Sequence, residues 1–370
     1  MFTTEGKAAF FLYRKRRKKS CHQMSVMLDL GRMQNIPLQQ IDALCKRQCA
    51  FALYALPGEQ AEFCMQQDGG ICPGIADAGF VLAEYDAPPC TIRKELQAPP
   101  MPQDFAPLPP AVPAEPETAR ADYHRLFEQY HGAICNTGVL HKLVLARTED
   151  VPAPHFSPAQ AFFTLCHTAP QAFNCLFHTP QGGTWLCSTP ELLLRREGEL
   201  WHTMALAGTK ADATVAWDAK NLHEHALVAE HITTCLRTVA THIETDGPHT
   251  VSAGRMLEHL CTYIRFRMAP EALPTLLHTL PPTPAVSGFP AEAARAFIRH
   301  QADIQRSFYA GYLGPVSKEQ THLFVTLRCM QIFPSLCRLY AGGGIMPDSS
   351  EPAEWAETTL KMQAMRTLIQ

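Results

Sequence analysis

Apolar residues recur along this chain in two rhythms, and the rhythm sets the element. Helical spacing runs through ARADYHRLFEQYHGAI (119–134), SPAQAFFTLCHTA (157–169), KNLHEHALVAEHITTCLRTVATHI (220–243) and PAEAARAFIRHQA (290–302). Ser157 is placed to cap the second of these, with Pro158 at its first position. Strand-like runs occupy HKLVLART, AFNCLFHT, GTWLCS and ELLLRREGELWHTMALAG, the last folded at Glu197-Gly198 into a hairpin. Further strands are predicted in SFYAGYLGPVS, HLFVTLRCMQIF and CRLYAGGGI. A closing helix is expected over 353–369, where Gly and Pro are absent. Towards the N-terminus, IDALCKRQCAFALYALPG reads as a helix running into a strand that stops at Pro57-Gly58. Strands come in hairpin-linked runs with helices between them, an α+β or mixed α/β pattern rather than strict βαβ alternation.

Two segments break the rhythm. Residues 97–116 hold eight prolines and read as an extended surface loop, separating an N-terminal part (24–96) from a larger region (117–370). Residues 1–23 contain six consecutive basic residues, Arg14 to Lys19, behind an apolar stretch. That order is the reverse of a secretory signal. A disordered tail or upstream leader is expected, with Met24 or Met27 as the working start. The chain has 370 residues, 46% hydrophobic and 18% charged, enough for a sizeable core. A formal net charge of −3 gives no reason to expect nucleic acid, and no apolar run is long enough to span a membrane. Fourteen cysteines are scattered without a CxxC, which fits reduced thiols in a cytoplasmic protein better than zinc or a disulfide framework.

Several side chains could carry chemistry. Glu354, Glu357 and Lys361 share one face of the last helix, turned towards Gly342-Gly343-Gly344, read here as a bare backbone loop. A metal-bound anion would suit that face; so would a solvated Glu–Lys pair. Glu224 lies between two histidines only two residues apart, which excludes the HExxH zinc geometry. Glu191 heads an apolar strand, as a strand-edge charge or as a general acid whose pKa burial raises. Lys142 opens another, as a base or a strand-end charge. Gly208-Thr209 could present backbone N–H groups to an anion.

In chain order, KLVLAR, STPELLL, ALAGT, KNLHEHALV, PPTPAVSGFP, FYAGYLG, VTLRCMQI and YAGGGIMPDSSEPAEWAETTLK together resemble the chorismate-utilising enzymes, over residues 142–365. The resemblance implies a single large fold of antiparallel-rich sheets with helices outside, and one Mg²⁺. It implies Glu224 and Glu357 as metal ligands, with Glu354 beside them. Arg328, Lys361 and the backbone at Gly342 would clamp the enolpyruvyl carboxylate. Gly208, His259 and Tyr340 would complete the substrate site. Lys142 would activate water and Glu191 would protonate the departing hydroxyl. Among family members the pattern is most like isochorismate synthase of menaquinone or siderophore pathways. Ala285 stands where salicylate synthases, the alternative, tend to have threonine. A catalytically inactive chorismate-binding homologue is less expected. No glutaminase partner is implied, and a monomer or homodimer is expected. Two departures are the short stretch between Lys210 and Lys220, and His300-Gln301 where an acidic residue is usual.

Overall fold

A computed structural model describes residues 38–109, 118–210, 214–252, 257–301 and 304–369. The basic run at 14–19 and both candidate start methionines lie outside these, as does part of the Pro-rich stretch. Among the described residues there are seven α-helices: α1 Leu38–Leu44, α2 Arg120–Thr137, α3 Pro158–Thr168, α4 Ala219–Leu236, α5 Leu273–Thr279, α6 Ala291–Gln301 and α7 Glu351–Arg366. Strands in the first half are β1 Phe51–Ala55, β2 Ala61–Met65, β3 Cys72–Pro73, β4 Gly79–Ala83, β5 Cys90–Arg93, β6 Lys142–Pro152, β7 Phe173–Thr179 and β8 Gly183–Thr189. Then come β9 Leu192–Glu197, β10 Leu200–Lys210, β11 His242–Ser252, β12 Glu258–Arg267 and β13 Gly288–Phe289. The last four are β14 Tyr312–Val316, β15 Gln320–Val325, β16 Cys329–Ile332 and β17 Leu336–Ile345. They form two antiparallel sheets, ordered β13-β6-β17-β16-β8-β7-β1-β2 and β11-β12-β10-β9-β15-β14-β4-β5-β3. The mixed α+β architecture expected from the pattern is the one observed.

Local signals explain much of this. Ser157 caps α3, its hydroxyl accepting from Gln160 N at 3.2 Å. Gly198, at φ +63°, turns the β9–β10 hairpin. The largest apolar cluster is drawn from strands of both sheets, with Trp185, Phe173, Phe177 and Leu194 fully buried. α7 packs on β17, and α4 on β10.

Three expectations are corrected. The helix expected over 220–243 stops at Leu236, and 242–252 forms β11 at a sheet edge. Its residues are mostly exposed, so it lacks the apolar alternation that marks a half-buried strand. HLFVTLRCMQIF is not one strand but two, β15 and β16, in different sheets. The triple glycine is strand, as predicted for CRLYAGGGI, and not the bare loop also read there: Gly342–Gly344 lie inside β17, paired with Ala146, Leu145 and Val144 of β6.

Candidate active site

The chain passes from one sheet to the other twice at the same place. Leaving β8 it crosses at Pro190-Glu191 to β9; leaving β15 it crosses back through Thr326–Arg328 to β16. The two crossings are stitched together by Ser188 N to Arg328 O (3.1 Å) and Val325 N to Glu191 O (3.0 Å). Arg328 takes φ +46°, a left-handed conformation that a non-glycine residue rarely adopts. Glu191 and Arg328 are thereby delivered to one cavity at the seam.

That cavity, about 70 Å³, is lined by Glu191, Gly208, Glu224, His259, Arg328, Tyr340, Gly342 and Lys361, with Ala285 and Tyr309. The other two residues singled out from the sequence stand one ion pair away. Lys142 is fully buried, its Nζ 2.7 Å from Glu224 Oε1. The pair is misaligned for a hydrogen bond, so the nitrogen has no aligned acceptor. Glu357 Oε1 pairs with Lys361 Nζ at 2.7 Å. Lys361 also donates to Gly342 O at 2.9 Å.

The glycines of β17 explain how helices reach this seam. A Cβ on Gly344 would lie 2.5 Å from Glu224 Oε1 and 3.0 Å from Lys142 Cε. One on Gly343 would lie 2.7 Å from Glu354 Oε2, and one on Gly342 2.7 Å from Tyr309 Oη. These four side chains therefore rest on bare backbone. Gly208 serves differently: at φ +78° it forms a bulge where the β10–β12 register shifts. Its carbonyl faces His259 Nδ1 at 3.0 Å.

Electrostatics separate the groups. Burial pushes the Glu191 carboxyl up to about 8, against the lowering charges of Lys142, Lys361 and Arg328. Burial also opposes ionisation of Glu357, but the Lys361 ammonium, with Lys220 and Arg328, outweighs it and holds this carboxyl below its ordinary value. Burial, then the Arg328 and Lys361 charges, drives His259 down to about 3. A neutral His259 donating from Nδ1 to Gly208 O presents its Nε2 lone pair to Arg328 Nη2, 3.1 Å away. His259 thus holds the guanidinium. Tyr340 Oη donates to Gln331 Oε1 at 3.2 Å, and its ring stacks on Tyr309.

Sequence reading passed over Arg147 and Lys220. Arg147, fully buried on β6, donates to Thr358 and Thr359, both at 2.8 Å, and stacks on Trp355 with its guanidinium carbon 3.8 Å from the ring centroid. It clamps α7 on either side of Glu357. Its position inside the quoted KLVLAR run was the available signal.

The sequence profile of the chorismate binding enzyme family matches residues 91–370. The chain belongs to that family. Among curated relatives, the isochorismate synthase MenF of Escherichia coli is 35% identical over 250 residues, 63% of this chain and 57% of the relative. The salicylate biosynthesis isochorismate synthase of Pseudomonas aeruginosa is 37% identical over 246 residues, 62% of this chain and 51% of the relative. The chain thus spans between half and two thirds of these relatives' lengths. The solved structure of the menaquinone-specific isochorismate synthase MenF from Escherichia coli superposes with a TM-score of 0.74 at 24% identity, covering 89% of this chain and 91% of that one. A putative 2,3-dihydroxybenzoate-specific isochorismate synthase, DhbC from Bacillus anthracis, gives 0.73 at 21% identity, covering 90% and 99%. These likenesses show a shared fold. No helix among the described residues is long and apolar enough to cross a membrane.

Proposed function

We propose that this chorismate-binding enzyme is an isochorismate synthase. Water adds at C2 of chorismate, the ring double bonds shift, and the C4 hydroxyl leaves as water. The observation that carries this reading is a carboxyl in the cavity wall held protonated to about pH 8, Glu191, with the buried Lys142 just behind the wall on Glu224. Lys142, entering the step as the neutral amine, takes the proton of the attacking water and becomes the ammonium, and Glu191 gives its proton to the departing hydroxyl. Arg328, oriented by His259, binds the enolpyruvyl carboxylate in fork geometry, with Lys361 and the Gly342 backbone beside it. Gly208 and Tyr340 shape the remaining wall. Relatives named isochorismate synthase support the assignment.

Glu224 and Glu357 are the residues that would hold Mg²⁺. Among the described residues no cluster of three or more His, Cys, Asp or Glu side chains gathers for a metal. A two-carboxylate set fits Mg²⁺, which keeps waters and takes substrate oxygens for its other positions. When bound, the ion would supply a cationic anchor for the ring carboxylate. Ala285, a methyl in the cavity wall, supports release of isochorismate over onward elimination to salicylate. A cytoplasmic setting is the one we infer, supported by thirteen free thiols among the described residues.

The test is product analysis by chromatography and NMR after incubation with chorismate and Mg²⁺ without ammonia. Isochorismate in a mixture with chorismate is expected. Salicylate with equimolar pyruvate would replace the assignment with salicylate synthase. No conversion, with EDTA making no difference, would overturn it.

A further inference from the structure

Lys220 and Glu354 join the two helices that carry the proposed metal ligands. Lys220 stands one turn before Glu224 on α4, and Glu354 one turn before Glu357 on α7. Their contact, Lys220 Nζ to Glu354 Oε1 at 2.6 Å, crosses from one helix to the other. Glu354 is 2% exposed, a depth at which a carboxylate stays only if it is paired. Ser349 Oγ donates to the same oxygen at 2.8 Å, and the missing Cβ of Gly343 leaves room for the other. Glu354 itself does not line the cavity, and its bonded oxygen is already engaged twice.

We propose that Lys220 is a positioning residue: with Ser349 it locks Glu354, sets the spacing of α4 against α7, and so holds the Glu224 and Glu357 carboxylates at the separation a divalent cation needs. The proposal rests on the reading of those two glutamates as Mg²⁺ ligands. Its consequence runs against simple electrostatics. Lys220 is a positive charge close to three carboxylates, Glu354, Glu224 and Glu357. Removing a nearby like charge should tighten cation binding on Coulomb grounds alone. Loss of the strut should weaken it, and lost outer-shell partners typically weaken metal affinity by about 10–100-fold.

The experiment is calorimetric titration of Mg²⁺ into the metal-free full-length protein, wild type against Lys220→Met. Weaker binding in the variant by about tenfold or more, with turnover recovering at saturating Mg²⁺, is expected. Unchanged or tighter binding would overturn the proposal. Ser349→Ala covers the case in which Lys220→Met does not fold. It alters no charge, so electrostatics predict no change in affinity, whereas the strut predicts several-fold weaker binding. Unchanged affinity in Ser349→Ala would likewise overturn it. Wild-type protein that binds no Mg²⁺ would instead refute the ligand reading of Glu224 and Glu357, and Lys220 with it.

Discussion

Glu191→Gln gives a test of the acid that needs no substrate. In the folded protein burial raises this carboxyl from 4.5 to about 8. It is therefore protonated in about ten of eleven molecules at pH 7, where an unperturbed glutamate would be protonated in about one of 300. The unfolded chain loses the proton near the ordinary value, so between pH 4.5 and about 8 the native state binds more protons than the unfolded one. Stability falls as pH rises through that window and levels off above it. At about 1.36 kcal/mol per pKa unit the full loss approaches about 5 kcal/mol. The amide of the variant does not ionise, so the variant should gain on wild type across the same window. With an unfolding entropy of about 2.1 cal/mol/K per residue, a 370-residue chain melts with about 0.8 kcal/mol/K, and the difference in Tm should grow by up to about 6 °C. The assay is calorimetric or fluorescence melting of both proteins at pH 5, 6.5, 8 and 9. Melting temperatures that stay parallel from pH 5 to 9 would refute the claim that Glu191 is held protonated, and its role as acid would fall with it.

Other outcomes follow from the same geometry. Lys142→Gln should cut kcat by about 10²–10⁴-fold, the usual worth of a general base, while circular dichroism shows the fold retained. Gly344→Ala puts a Cβ 2.5 Å from Glu224 Oε1, so the flexible carboxylate must swing off β17; turnover should fall while the urea midpoint changes little, and unchanged turnover would mean that the position of the Glu224 carboxylate on β17 does not matter to the reaction. Arg328→Lys keeps the charge but loses the fork, so KM for chorismate should rise by about tenfold or more, read in steady-state kinetics. Because His259 is already neutral above about pH 3, kcat/KM should show no limb between pH 5 and 7 that disappears in His259→Gln.

Short-range chemistry was legible in the sequence. The α3 cap, the β9–β10 turn and the shared face of Glu354, Glu357 and Lys361 follow from residues within one or two turns of each other. The ordered motifs also brought out the cavity-lining side chains, since their identity and order survive in one chain. Partners across long separations were not legible. The 322–333 run looks like one strand because its apolar character is continuous, yet Arg328 breaks it and sends its halves to different sheets. The glycine run read both as strand and as bare loop, because nothing local says that Tyr309, Glu354 and Glu224 will press on it.

What the sequence determined by itself was therefore the menu of elements and the identity of the candidate site residues, set by local spacing and by the ordered motifs. What only the tertiary structure decided was their environment. The Glu191 carboxyl is held protonated because burial at the seam between two sheets withholds water from its charge, and burial is a property of the whole packed core. Arg328 points at the site because His259, 69 residues away along the chain, holds it there. Lys220 and Glu354 lie 134 residues apart, and only the packing of α4 and α7 against neighbouring strands makes them a pair.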